Sequence, residues 1–201
     1  MKSPIRPSAD KTRKAILRTA EKLFAKKGFS GTSINDIADT IRINKSLIYH
    51  HFVNKEGLWK EVRLSIAKEY EASSGLEFFP LKKDLKSFLK QVIYSRYDFL
   101  QKNPNVLRIM HWQRLEPQPQ KFQTSKFNQL WRDSICELQN KGAIRSDLDP
   151  DMVTLFILGA FRSVFEEASG FFRKEKPTQQ KKYLDFIITN LYRALKPQPH
   201  S

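Results

Sequence analysis

The chain has 201 residues with a formal net charge of +15 and a pI of about 9.9; 40% are hydrophobic and 12% aromatic. That composition gives ample material for a folded core and excludes a disordered polyelectrolyte. The longest apolar run, Val153 to Phe161, stops at Arg162, about half of the roughly 20 residues that a membrane-spanning helix needs.

No signal-peptide apolar region follows Met1, and the single cysteine, Cys136, forbids an intramolecular disulfide. Both fit a reducing cytoplasm. Residues 1–70 hold 15 Lys and Arg against 7 Asp and Glu, and the remaining 131 hold 21 against 14. The basic excess is therefore about twice as dense in the first third, which points to a polyanionic partner there.

The chain reads as helix after helix, with no sustained period-two alternation and no Asn-Gly or Asp-Gly hairpin signal. Residues 1–9, with Pro4 and Pro7, form a flexible basic arm. An amphipathic helix begins near residue 10. It carries Ile16, Leu17, Ala20, Leu23 and Phe24 on one face and ends at Gly28, with Phe29 folding back as in a Schellman stop. Ser33 and Asp36 resemble a capping box that opens the next helix, with Ile34, Ile37, Ala38 and Ile41 inward. Asn44 can cap a third helix and Asn54 a fourth, running from Lys55 to about Ser74. Further helices are expected at about 82–102, 104–115, 121–140, 150–173 and 178–195, separated by proline- and glycine-bearing turns. The expected fold is all-α. A first domain of short helices spans 10–54, a connecting helix and loop 55–79, and a larger helical domain 80–201.

The His50–His51 pair raises the question of a metal site. Two ligands on one helical face need i, i+4 spacing, whereas adjacent residues point about 100° apart. His111 and His200 add no ligand spacing, so no metal and no cofactor are expected. No phosphate-binding glycine loop or nucleophile motif stands out. Asp147, Asp149 and Asp151 alternate beside Pro150 and read as turn and helix-start residues. No catalytic residue is assigned.

Residues 12–59 carry Leu23-Phe24, Gly28-Phe29, Thr32-Ser33, Asp36-Ile37-Ala38, Tyr49-His50-His51-Phe52 and Lys55-Glu56. This pattern, with all spacings kept, resembles the DNA-binding domain of the TetR family of transcriptional regulators. The resemblance implies a scaffold helix at about 33–40 and a recognition helix at about 45–51, held by Ile43, Ile48 and Phe52. It implies that Tyr49 and His50 contact backbone phosphates, while His51 packs inward. Asn44, Lys45, Ser46 and Leu47 stand where base edges come within reach: Lys45 can donate to guanine acceptors, and Leu47 can touch a thymine methyl. Ser33 and Lys55, at helix N-termini, suit phosphate, although capping and surface charge explain them too. The family usually has glycine where this chain has Arg42, so a left-handed non-glycine residue is expected there, and its guanidinium can reach a phosphate.

The resemblance further implies that the C-terminal domain binds a small effector and forms a homodimer through its last two helices. The apolar stripes of those helices suggest Phe156, Ala160, Val164, Leu184, Ile188 and Leu191 at the interface; burial within one subunit is the alternative. Met110, His111, Trp112, Phe127 and Trp131 form an aromatic-rich group suited to a hydrophobic effector, which core packing explains equally well. A turn at 117–119 could gate it. A homodimer on a palindromic operator, released by an effector, is the expected regulator, most simply a repressor. The rivals are a sequence-nonspecific DNA-coating protein without effector response and a membrane-surface binder. The basic residues surround a helix-turn-helix rather than lining one long amphipathic face, which disfavours the membrane.

Overall fold

The computed structural model describes residues 9–74, 84–116, 125–166 and 177–198. Among these every regular element is a helix: α1 (Ala9–Lys27), α2 (Ile34–Ile41), α3 (Lys45–His51), α4 (Lys55–Ser74), α5 (Leu85–Lys102), α6 (Pro104–Leu115), α7 (Ser125–Asn140), α8 (Pro150–Glu166) and α9 (Pro177–Leu195). The basic arm at 1–8, the turn at 117–119 and the expected helical residues 121–124 and 167–173 lie outside the described residues. The fifth helix is described from Leu85, and the expected helical residues 82 and 83 also lie outside the described residues. Asp84 caps this helix, its Oδ1 accepting from the Ser87 N–H at 3.0 Å, which satisfies one of the free amides of the first turn, while its carbonyl accepts the first helical bond from the Phe88 N–H at 3.0 Å.

The chain divides into two compact units, Met1–Ser73 with Phe99–Lys121, and Ser74–Asp98 with Phe122–Ser201. The sequence expectation assigned all of 80–201 to one domain, but α6 belongs with the N-terminal helices. Its Ile109 enters the same buried cluster as Ile16, Ala20 and Phe24 of α1, Ile34 and Ile37 of α2, Ile48 of α3, Phe52, and Leu58, Trp59 and Val62 of α4. Phe24 and Trp59 meet edge to face with ring centres 4.8 Å apart, a favoured aromatic geometry.

In the second unit, Leu85, Phe88, Leu89 and Val92 of α5 are buried, as are Trp131, Ile135 and Leu138 of α7, Val153, Ile157 and Phe161 of α8, and Leu184, Ile188 and Leu191 of α9. Helices α5 and α9 are also joined by polar contacts. The Tyr94 hydroxyl donates to Asp185 at 2.8 Å and that of Tyr97 to Gln180 Oε1 at 2.6 Å. Burial and the adjacent Asp185 carboxylate push the Tyr94 phenol up to about 12, so this tyrosine stays a neutral donor. The Arg145 N–H closes the end of α9 by donating to the Leu195 carbonyl at 2.9 Å.

Candidate nucleic-acid interface

The α2–turn–α3 segment is built by local chemistry. Ser33 caps α2 with a full capping box: its Oγ accepts from the Asp36 N–H at 3.0 Å, while Asp36 Oδ2 accepts from the Ser33 N–H at 2.8 Å and from the Ser33 hydroxyl at 2.6 Å. The hydroxyl, the backbone N–H and Lys27 at 3.2 Å all favour the carboxylate, and they lower Asp36 to about 2. At the other end Arg42 is left-handed, with φ 54° and ψ 49°. It sits in a Schellman motif: its N–H donates to Asp39 O at 3.2 Å and the Ile43 N–H to Ala38 O at 3.0 Å. Asn44 Oδ1 then caps α3 by accepting from the Ser46 N–H at 2.9 Å.

Only seven residues long, α3 buries Ile48 completely. Ile43 and Ile41 pack partly buried against the core, and Phe52 closes it. The opposite face carries Lys45, Ser46, Leu47, Tyr49 and His50, all exposed, with Asn44, Arg42 and Ser33 exposed beside them. No carboxylate occurs between Ile41 and Asn54, so this surface is polar and cationic, the character that phosphate and base edges select. The His50 and His51 rings lie 5.4 Å apart between centres, tilted 71°. His51 is half-buried beside Phe52, at 6.2 Å, and His50 faces out.

Lys55 departs from the expectation. Its ammonium turns into the α1–α2 connection, donating to the carbonyls of Phe29 at 3.1 Å and Thr32 at 3.2 Å and lying 4.3 Å from the centre of the Phe29 ring. Three acceptors in that turn hold the charge, which is therefore not presented on the surface with Lys45.

The other expected sites divide. Trp112 is docked on α1, its indole Nε1 donating to the Ala25 carbonyl at 3.3 Å, and Trp131 is buried against Phe88 with ring centres 6.1 Å apart. Packing accounts for both. Met110 and His111 are half-buried on α6, and the side chain of Phe127 lies outside the described residues. Of the six interface candidates, Val164, Leu184, Ile188 and Leu191 are at most 3% exposed within the single chain. They serve its own core, because α8 and α9 bury these faces against their neighbours. Ala160 is half-buried, while Phe156 is 51% exposed and stands with Met152 and Leu155, each 70% exposed; Phe186 on α9 is 62% exposed.

One residue had no signal in the sequence. Glu116, just past α6, accepts from the Phe29 N–H at 2.9 Å and the Ser30 N–H at 3.1 Å. The sequence separation, 86 to 87 positions, leaves no local spacing to betray it. Among the described residues no helix is long and apolar enough to cross a membrane, and no group of three His, Cys, Asp or Glu could hold a metal ion.

Comparison with known proteins agrees with this architecture. Residues 16–62 match the family described as "Bacterial regulatory proteins, tetR family", and residues 89–188 match "Tetracyclin repressor-like, C-terminal domain". The "Probable acrEF/envCD operon repressor" of Escherichia coli K12 is 29% identical over 171 residues, covering 78% of this chain and 75% of that protein. The TetR-family regulator HI0893 of Haemophilus influenzae has the same fold, with a TM-score of 0.72 at 20% identity over 96% of this chain and 100% of its own. The crystal structure of AibR with isovaleryl coenzyme A and operator DNA superposes with a TM-score of 0.69 at 20% identity, covering 90% and 97% of the two chains. With a helix-turn-helix whose outward face is cationic and family matches over both parts of the chain, the protein belongs to the TetR family, as a DNA-binding transcriptional regulator and not an enzyme.

Proposed function

We propose that the protein is a homodimeric repressor that binds a palindromic operator and is released by a small hydrophobic effector. The observation that carries the DNA reading is the split of α3 into a buried Ile48 and an exposed face of Lys45, Ser46, Leu47, Tyr49 and His50. A helix gripped by one buried apolar residue, with a face that is polar apart from Leu47, suits the major groove, which admits a helix and displays distinct donors, acceptors and the thymine methyl. Lys45 and Leu47 read bases, Asn44 and Ser46 assist at the helix start, and Tyr49, His50 and Arg42 hold phosphates; Ser33, whose N–H and hydroxyl both donate to Asp36, serves as the cap of α2.

The homodimer reading rests on the exposed apolar residues Met152, Leu155 and Phe156 of α8, spaced three and four apart, and on the exposed Phe186 of α9. Large apolar side chains grouped on a surface mark an association site, and a two-fold dimer presents two recognition helices to inverted half-sites. AibR, crystallised with isovaleryl coenzyme A and operator DNA, supports the idea that a protein of this fold takes a small molecule as well as an operator. Effector contacts are sought first at Met110 and His111. The effector must bind the DNA-incompetent arrangement more tightly than the competent one.

Selection from a random DNA pool tests the proposal. Enrichment of one inverted repeat with half-site centres about one helical turn apart is expected. Enrichment of an unsymmetrical site, or none, would contradict it.

A further inference from the structure

We propose that Glu116 is the residue that positions the helix-turn-helix for operator recognition, by gripping the turn through which α1 hands the chain to α2. This inference rests on the DNA-binding reading above and assigns a role to a residue outside the DNA-facing surface.

The two helix ends of this unit differ in a telling way. At the end of α2, both Schellman bonds are made locally, by the N–H groups of Arg42 and Ile43. At the end of α1, the Gly28 N–H donates to the Phe24 carbonyl at 2.9 Å, which is the simpler left-handed stop. The Phe29 N–H, which would complete a Schellman motif, instead donates to Glu116, as does the Ser30 N–H. Two successive amides converging on one carboxylate make a small anion-binding concavity filled by the protein's own side chain.

Gly28 makes room for this arrangement. A Cβ there would lie 2.4 Å from Glu116 Oε1 and 2.8 and 2.9 Å from two atoms of the Trp112 ring. Trp112 and Glu116, one helical turn apart at the end of α6, therefore press on the same turn. The turn's carbonyls are held from another side, those of Phe29 and Thr32 by the Lys55 ammonium. An anion thus holds the amides and a cation the carbonyls. The buried Thr32 then closes the turn on itself, its hydroxyl donating to the Gly28 carbonyl at 2.8 Å. Ser33 follows at once as the cap of α2. Because α2 begins two residues past the last of these anchors, the position of residues 28–32 sets where α2 starts, and α2 carries α3. A glutamine cannot replace the carboxylate, since its amide group would point a donor at donors.

The test uses the full-length protein with Glu116→Gln, and Glu116→Ala as a second variant that removes the acceptor without adding a donor. Amide hydrogen exchange at Phe29 and Ser30 is expected to quicken by about tenfold, the size of one lost charge-assisted bond. The amides of α2 and α3 should follow, while those of α8 and α9 stay unchanged. Affinity for the operator, taken as the DNA preferred by the wild type, should fall by about tenfold, comparable to one mismatched base pair, with affinity for scrambled DNA unchanged. A merely structural role would lower both affinities together through loss of folded protein. Unchanged exchange at Phe29, Ser30 and α2, or a parallel fall in both affinities, overturns the proposal. If the wild type prefers no DNA, the regulatory reading fails, and the exchange response alone decides whether Glu116 holds the turn.

Discussion

The Lys55 ammonium lies 4.3 Å from the centre of the Phe29 ring and within 3.2 Å of two carbonyls in the turn that Phe29 opens. Lys55→Met keeps the aliphatic stem and removes the charge. The variant should lose about 2 kcal/mol of stability in urea unfolding, from lost bonds to a charged donor and a lost cation–π contact. Its salt dependence of DNA binding should stay that of the wild type. Lys45→Met should do the reverse, leaving stability alone within about 0.5 kcal/mol. If Lys45 also neutralises a phosphate, its slope of log K against log salt drops by about one. A lowered slope for Lys55→Met would place its ammonium on DNA.

Asp36 makes the N-terminal unit acid-sensitive in a defined window. Its carboxyl is lowered from an ordinary 3.8 to about 2, first by the Ser33 hydroxyl and then by the Ser33 N–H and Lys27. A depressed folded-state value contributes stability that is fully present above the unfolded value and is lost as pH falls through the folded one. The gap in Tm between wild type and Asp36→Asn should therefore be constant above about pH 5 and close as pH falls toward 2. A gap that persists at pH 2 would show that the capping box does not depend on the charge.

Two left-handed residues should respond in opposite directions. Gly28 has φ +76° and no room for a Cβ beside Trp112 and Glu116, so Gly28→Ala should cost about 2–4 kcal/mol, strain and overpacking combined. Arg42 has φ 54° and an exposed side chain, so Arg42→Gly should gain about 0.5–1 kcal/mol by relieving backbone strain. The same change should weaken DNA binding if the guanidinium meets a phosphate. Chemical unfolding and anisotropy on the same pair of variants separate the two effects.

The parts of this account legible in the sequence are those where cause and effect lie within a few residues. Ser33 with Asp36, and Asn44, are local caps that residue spacing alone placed, while the left-handed turn at Arg42 and the inward Ile48 were what the family resemblance implied. Asp84 was equally local, with Ser87 three residues on, and was available as a cap. Glu116 and Trp112 act on residues more than 80 positions away, and no periodicity encodes such a contact. The stripes on α8 and α9 told that Leu184 and Phe156 are apolar but not which one faces its own core. That distinction depends on what packs beside each helix.

The split between those two residues gives a direct test. Leu184 is fully buried and Phe156 half exposed. Leu184→Ala should destabilise the fold by about 2–5 kcal/mol through a cavity. Phe156→Glu should leave the monomer folded and break the proposed dimer, read by sedimentation as half the mass of the wild type. A Phe156→Glu protein that stays dimeric would move the interface elsewhere.

The most direct test of the central claim is fluorescence anisotropy of the purified protein on DNA from upstream of its own gene, against scrambled DNA, over a salt series. A preference of about a thousandfold or more for one palindromic segment is the expected result. Equal, salt-sensitive binding to both DNAs would instead describe a nonspecific coating protein, and no binding to either at low salt would contradict the DNA-facing role of α3.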